Sequence, residues 1–336
     1  MTDSRIPDPL APKLAVVFGG SGFIGKHVVR ALVHRGWRVR VPMRRPHVGL
    51  DLKVMGNVGQ VQLMQANVRY PASVARAVEG ADAVVNLVAV LAESGNQTFD
   101  ALHIDGARTI AQACAAQGID DLVHISAIGA DVDAEAEYSI SKGHGEQAVR
   151  ESVPTADLLR PSIVFGPEDE FFNRFASMAT MAPALPLIGG DTQFQPVYAG
   201  DVGEAVATLL GRGTTGETYE LGGPRTYTFR ELMEFMLAII DRKRLLVPLP
   251  FSVASLMGKI LGGLGKLPFV PTLLTDDQVT NLKYDNIVTG DTKTFADLGI
   301  VPEALEAIVP EYLIRYRKFG QFHQPAEGEL VSVEDV

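Results

Sequence analysis

Leu14-Ala-Val-Val-Phe-Gly-Gly-Ser-Gly-Phe-Ile-Gly25 is the stretch on which the fold turns. Five apolar residues end at Phe18, glycines follow at 19, 20, 22 and 25, and an amphipathic run extends from Phe23 to His34. That order reads as buried strand, tight turn, helix. A helix entered from a strand presents unpaired N–H groups and the positive end of its dipole, which together suit a pyrophosphate. Glycine serves where the turn requires positive φ or where a side chain would block the phosphates. The G-x-x-G-x-x-G spacing of Gly19, Gly22 and Gly25 is a variant of the dinucleotide-binding fingerprint. Gly20, Ser21, Phe23 and Ile24 complete the candidate cradle. An ordinary glycine-rich turn shows similar letters; the flanking strand and helix separate the two readings.

Downstream, strands alternate with helices. Trp37–Met43 reads as strand two, expected to end at Val41 because an interior strand loses a hydrogen bond at Pro42. Val61–Met64 is strand three, Val74–Val78 helical, and Ala83–Val90 an apolar run typical of a central parallel strand. Thr98–Gln117 has helical spacing and stops at Gly118, Asp121–Ala127 is strand five, Tyr138–Glu151 a helix, and Asp157–Phe165 strand six. The pattern is that of an α/β, Rossmann-type doubly wound parallel sheet. Beyond Pro167 the rhythm changes to helices at Phe171–Met181 and Val202–Leu210, a strand at Thr218–Leu221, and a capping box at Thr228–Glu231. The expected division is a sheet domain from 12–168 plus 194–222, a smaller discontinuous lobe from 169–193 plus 223–318, and a mobile acidic tail at 319–336.

Strand ends place ligands in such sheets. Arg44 and Arg45 stand past strand two, where an NAD-selective site would carry an acid for the ribose hydroxyls. Their guanidinium forks suit a 2′-phosphate, so NADPH is expected over NADH; a solvated basic turn is the bland alternative. Asn67 and Val68, Val88 and Ala89, Pro161 and Ile163 are the further candidate cofactor contacts at the later strand ends. Tyr138 and Lys142 are four apart on one helix and so share a face. An ammonium beside a phenol favours the phenolate and makes it a usable acid or base, while the lysine can reach a nicotinamide ribose. Ser126, at the end of strand five, can hydrogen-bond the same substrate oxygen.

Size and charge narrow the classes. The 336 residues suffice for a large core, and a net charge of −10 argues against nucleic-acid binding. Cys114 is the single cysteine and the seven histidines lack ligand spacing, so no metal site and no disulfide are expected. The N-terminal residues resemble neither a signal nor a transit peptide, and no apolar run spans a bilayer.

Gly19–Gly25, Ser126, Tyr138-x-x-x-Lys142 and Arg160-Pro161 together resemble the short-chain dehydrogenase/reductase superfamily, in its atypical or extended branch. His124–Ala130, Phe165–Asp169, Phe172–Met178, Gln195–Tyr198, Tyr219–Pro224 and Leu274–Val279 are similar to the thirty-nine-kilodalton accessory-subunit family of respiratory complex I and its alphaproteobacterial relatives. That resemblance implies a tightly held NADPH, a structural or assembly role beside the quinone site among complex I subunits, and a place on the cytoplasmic face of a bacterial inner membrane, or the matrix side in mitochondria. Active NADP(H)-dependent reduction of a lipophilic quinone precursor is the alternative. A sugar-nucleotide epimerase or dehydratase is disfavoured, since Ile163 stands where many such enzymes carry asparagine. Gly143 and Gly145 are unusual inside the Tyr138 helix; close packing on the cofactor and relaxed selection both remain open.

From Leu245 to Leu274 the only charges are Lys259 and Lys266, and prolines at 248, 250, 268 and 271 forbid a spanning helix. A helix over Phe251–Leu267 would carry a broad apolar face. It either joins the smaller lobe's core or meets membrane lipid or a partner.

Overall fold

The computed structural model describes residues 12–253 and 276–322. Seven parallel strands form the central sheet: β1 (Leu14–Phe18), β2 (Arg38–Met43), β3 (Val61–Gln65), β4 (Ala83–Asn86), β5 (Leu122–Ile125), β6 (Asp157–Pro161) and, from far later in the chain, β11 (Thr218–Leu221). Their order is β11-β6-β5-β4-β1-β2-β3, so the winding reverses between β1 and β4. Such a switch point opens a crevice at the carboxyl ends of the strands.

Helices α1 (Phe23–His34) and α6 (Ala199–Arg212) cover one face, burying Val28 and Leu32 against Val202 and Val206. On the other face lie α2 (Pro71–Val78), α3 (Asp105–Gln117) and α4 (Glu137–Ser152), which bury Val74, Ile110 and Val149. The α3 helix ends at Gly118, whose φ of 68° supplies the left-handed cap that a residue with a Cβ resists. It begins with a π-helical turn at Asp100–Ile104.

A smaller lobe is built from α5 (Phe171–Met181), α7 (Phe229–Ile239) and α10 (Leu305–Leu313) around Phe172, Leu185, Phe194, Met233 and Val309. Its short strands pair as β8 (Ala184–Ile188) with β13 (Leu245–Leu249), and as β9 (Gln193–Phe194) with β12 (Tyr227–Thr228). Thr228 and Glu231 form the expected capping box on α7. Phe295 and Leu298 of the short helix α9 (Phe295–Leu298) pack into the sheet-side core rather than the lobe's.

Three expectations change. Pro42 lies inside β2, paired with Met64, because the β1–β2 register runs only from Leu14↔Arg38 to Val16↔Arg40. Beyond it Pro42 has a strand on one side only, where its missing N–H is tolerated. The run Ala83–Val90 is strand only to Asn86. Strand six is two elements: β6 stays in the sheet, whereas β7 (Val164–Phe165) leaves it to pair with β10 (Val197–Tyr198). The break falls at Ser162 and Ile163, where Asn286 intervenes: its Oδ1 accepts the Ile163 N–H at 3.1 Å and the Ser162 hydroxyl at 2.7 Å.

Residues 245–249, the start of the apolar stretch, are strand within the smaller lobe. The expected helix at Phe251–Leu267 is described only over its first turn, and residues 254–275 and 323–336 lie outside the described residues. Among the described residues no helix is long and apolar enough to cross a membrane.

A Cβ on Gly145 would sit 2.4 Å from the His103 carbonyl, whereas one on Gly211 of α6 meets nothing within 4 Å. Gly145→Ala is therefore expected to cost about 1–3 kcal/mol by overpacking. Gly211→Ala should be neutral or stabilising by up to about 1 kcal/mol. Urea denaturation of both variants checks the contrast.

Candidate nucleotide and catalytic site

The glycine turn works by close approach. Gly19 has φ of 80°, and a Cβ there would lie 3.0 Å from the Leu87 backbone; one on Gly25 would lie 2.2 Å from the Gly19 carbonyl. The β1 end, the β4 end and the start of α1 are thereby drawn together at the switch point. Gly20 is a packing glycine: its N–H bonds Val17 O, and a Cβ would meet Val41 at 2.9 Å. The first backbone bond of α1 runs from the Lys26 N–H to the Gly22 carbonyl, which leaves the N–H groups of Phe23, Ile24 and Gly25 ahead of it. No side chain caps this end and its first turn holds no acid. Phe23 and Ile24 offer an anion only backbone, since the Phe23 ring packs on Gly166 and Ile24 on the sheet-side core.

The other candidates divide. Arg44 and Arg45 are exposed just past β2, with the Arg44 Nη1 donating to Gln97 Oε1 at 2.9 Å. Asn67 builds its own turn, accepting the Arg69 N–H on Oδ1 at 3.1 Å. Val68 is buried against Gly106 of α3. The Val88 N–H is held by Asn86 Oδ1 at 3.1 Å, and Ala89 is exposed at the crevice. Pro161 is buried, its carbonyl accepting from Ile128 N–H at 3.1 Å, and Ile163 is half-buried against the lobe's core.

Ser126 follows β5 directly; its N–H bonds Leu159 O at 2.7 Å, and its buried hydroxyl has no partner among the described residues. An unpartnered buried hydroxyl beside an uncapped glycine turn fits a bound dinucleotide or its substrate. Lys142 is 2% exposed and donates from Nζ to the carbonyl of Ile125, one residue before Ser126, at 2.7 Å. Tyr138 lies one turn earlier on α4, half-buried, with Phe99 and His103 edge-on to its ring at 5.9 and 5.5 Å between centroids. The structure thus brings Lys142 to the end of β5 next to Ser126, with Tyr138 one turn away on the same helix.

The electrostatics depart from the expectation that lysine lowers the tyrosine pKa. Burial, and then the Asp277 carboxylate, push the Tyr138 phenol up to about 12. Burial lowers the Lys142 ammonium to about 8, against an opposing pull from Glu146. In this state the phenol keeps its proton, and the ammonium is spent on a backbone oxygen.

Several residues in the site carry no local sequence signal. His103 accepts the Val90 N–H on Nε2 at 3.0 Å, so its Nδ1 carries the proton and donates to Ser141 Oγ at 2.8 Å; Ser141 in turn donates to the Tyr138 carbonyl. Burial holds this imidazole neutral, with its pKa down to about 3. Asp277, on the short helix α8 (Asp276–Asn281), accepts the N–H groups of Glu137 and Tyr138 at 2.6 and 3.2 Å and so caps α4. Glu146 takes the Arg160 fork through both oxygens, at 2.8 and 2.6 Å. Gly143 and Gly145 are explained by protein contacts: a Cβ on Gly143 would lie 2.7 Å from the backbone at Asp131 and Val132. Among the described residues no cluster could hold a metal.

A sequence profile of the NAD dependent epimerase/dehydratase family matches residues 15–222. The chain belongs to that family. It is 33% identical to the mitochondrial NADH-ubiquinone oxidoreductase 40 kDa subunit of Neurospora crassa, over 96% of this chain and 84% of that one. With the mitochondrial NADH dehydrogenase [ubiquinone] 1 alpha subcomplex subunit 9 of Arabidopsis thaliana it shares 36% identity, over 95% and 81% of the two chains. It stands in the branch that contains these respiratory subunits. The solved NADPH complex of the quinone oxidoreductase QOR2 of Escherichia coli superposes with a TM-score of 0.70 at 19% identity, over 89% of this chain and 99% of that one, and shares the fold. An NAD(P)-binding Rossmann fold is thus common to this chain and its family.

The low Lys142 value has a sign that can be checked. Below pH 8 the ammonium exists in folded and unfolded chain alike, and its full desolvation cost is carried. Between about 8 and the ordinary 10.5 the unfolded chain binds the extra proton, so stability rises with pH across that window. The urea midpoint is expected to increase from about pH 8 to about pH 9.5, and Lys142→Met to flatten that increase.

Proposed function

We propose that this chain is an NADPH-holding accessory or assembly subunit of a respiratory NADH:quinone oxidoreductase. The observation that carries the reading is its 33% identity over 96% of its length to a subunit of such an enzyme, with the glycine turn intact. NADPH in place of NADH follows from Arg44 and Arg45, which stand free of any acid in Met43–Pro46 and offer forks to a 2′-phosphate. Gly19, Ser21, Gly22 and the amides that open α1 would hold the pyrophosphate, and Lys142 the nicotinamide ribose. The subunit sits peripherally beside the quinone site, on the cytoplasmic face of a bacterial inner membrane. The same face is the matrix side in mitochondria.

A second reading is favoured by the unpartnered Ser126 hydroxyl beside Tyr138 and Lys142. Here the chain is an active reductase of a lipophilic carbonyl or quinone precursor. Bound NADPH would supply the hydride; Ser126 would orient the carbonyl and Tyr138 donate the proton to its oxygen.

Denaturing the purified protein and weighing the released nucleotide by mass spectrometry is expected to give NADPH. Replacing Arg44 and Arg45 by alanine should weaken NADPH roughly tenfold to a hundredfold and leave NADH unchanged. Equal losses for both would remove the 2′-phosphate assignment. In the accessory reading Tyr138→Phe supports normal assembly of the respiratory complex in cells, whereas Gly22→Asp loses nucleotide and subunit together. Loss of cellular function in Tyr138→Phe with fold and nucleotide retained would select the reductase.

A further inference from the structure

One end of the smaller lobe concentrates positive charge. Stretches 241–245 and 314–322 hold six lysines and arginines against one acid, Asp241, in a chain of net charge −10. Reciprocal bonds join them: Arg242 Nε donates to Tyr316 O at 3.0 Å, and Arg317 Nε to Ile239 O at 2.7 Å. Arg244 Nε donates to Ala179 O at 2.7 Å, which draws in the end of α5, and Arg315 donates to Asn173 Oδ1. These partners are uncharged oxygens that fix the guanidinium groups in place. On the same elements Met181, Leu245, Phe319 and Phe322 are exposed by 78, 67, 62 and 80%. The Lys318 ammonium stands 5.3 Å from the centre of the Phe319 ring.

We propose that this patch docks on an anionic phospholipid surface. Cations on a rigid frame match headgroup phosphates, and bare aromatic and aliphatic side chains beside them enter the acyl boundary. An acidic protein would match the cations, but two phenylalanines, a methionine and a leucine left in water beside them favour an occupant that takes charge and apolar tips together. The proposal rests on the reading of a peripheral membrane subunit and names the surface by which it would be held.

The test is co-sedimentation of the full nucleotide-loaded protein with vesicles of phosphatidylcholine alone, or containing about one third phosphatidylglycerol. Binding is expected to be at least about tenfold stronger to the anionic vesicles and to weaken as salt is added. The pair Lys243→Glu with Lys318→Glu should abolish that preference, while circular dichroism and nucleotide content stay unchanged. Phe319→Ser with Phe322→Ser should remove the binding that survives salt. Equal binding to both vesicles, or an anionic preference that persists in the charge-reversed variant, would overturn the proposal. So would binding that appears only after residues 323–336 are removed, because the acidic tail would then be the patch's occupant. Association of the same variants with the respiratory complex in extracts is scored separately, and reports on the accessory reading alone.

Discussion

Helix α4 is buried on a polar side, and the site depends on how that burial is accommodated. Ser139, Ser141, Lys142 and Glu146 are all buried. A buried polar group left alone costs roughly 1–3 kcal/mol, and a charged one more. Each has an assigned partner from a different part of the chain: Asn281 for Ser139, His103 for Ser141, Ile125 O for Lys142, and Arg160 for Glu146. Asp277 closes the helix's open end. Four elements thus meet on one helix, and Gly143 and Gly145 let it approach closely enough for the bonds to form. The π-helical turn that carries His103 belongs to the same arrangement, since the carbonyl that excludes a Cβ from Gly145 is its own.

Much of this was legible before any coordinates. The strand–turn–helix order at Leu14–His34 and the later alternation reflect local periodicity, so the parallel sheet can be read directly. Tyr138, Lys142 and Ser126 were legible because two of them share a helix face and the third ends the strand beneath it. Asp277 and Asn286 were not, because their partners lie over 120 positions away in sequence. Nothing local tells a carboxylate that caps a distant helix, as Asp277 does, from one in solvent. Pro42 misled for a similar reason: whether its missing N–H matters depends on how far the neighbouring strand extends. Asn286 also explains why Asp157–Phe165 reads as one strand yet is two. The hydrophobic pattern continues through Ser162 and Ile163, while the backbone there is claimed by a side chain from the far end of the chain.

Electrostatics set the resting state of the site. A Tyr-x-x-x-Lys pair suggests a lowered phenol pKa, on the assumption that the ammonium faces the phenol in a site open enough for charge. Here the ammonium is committed to Ile125 O, and both groups carry the cost of burial, which opposes a phenolate and an ammonium alike. The Asp277 carboxylate at the start of α4 adds to the rise in the tyrosine. Neutral His103 and neutral His124 follow the same logic: burial lowers both first, and the nearby Lys142 ammonium adds to it. The tyrosine is therefore kept as a proton donor, the form that reduction of a carbonyl would require.

Shape and chemistry are separable in such a site. Lys142, Ser141 and Glu146 each hold secondary elements together by bonds that involve no substrate. A chain that stopped transferring hydride would still need them to keep α4 against β5 and β6, and would still need Gly19 and Gly25 to bring β1, β4 and α1 together. The Ser126 hydroxyl is different: it is buried and takes no partner among the described residues. The lysine and glycines therefore speak for the architecture, whereas the Ser126 hydroxyl bears on whether it does chemistry. This is how one framework can persist with or without hydride transfer.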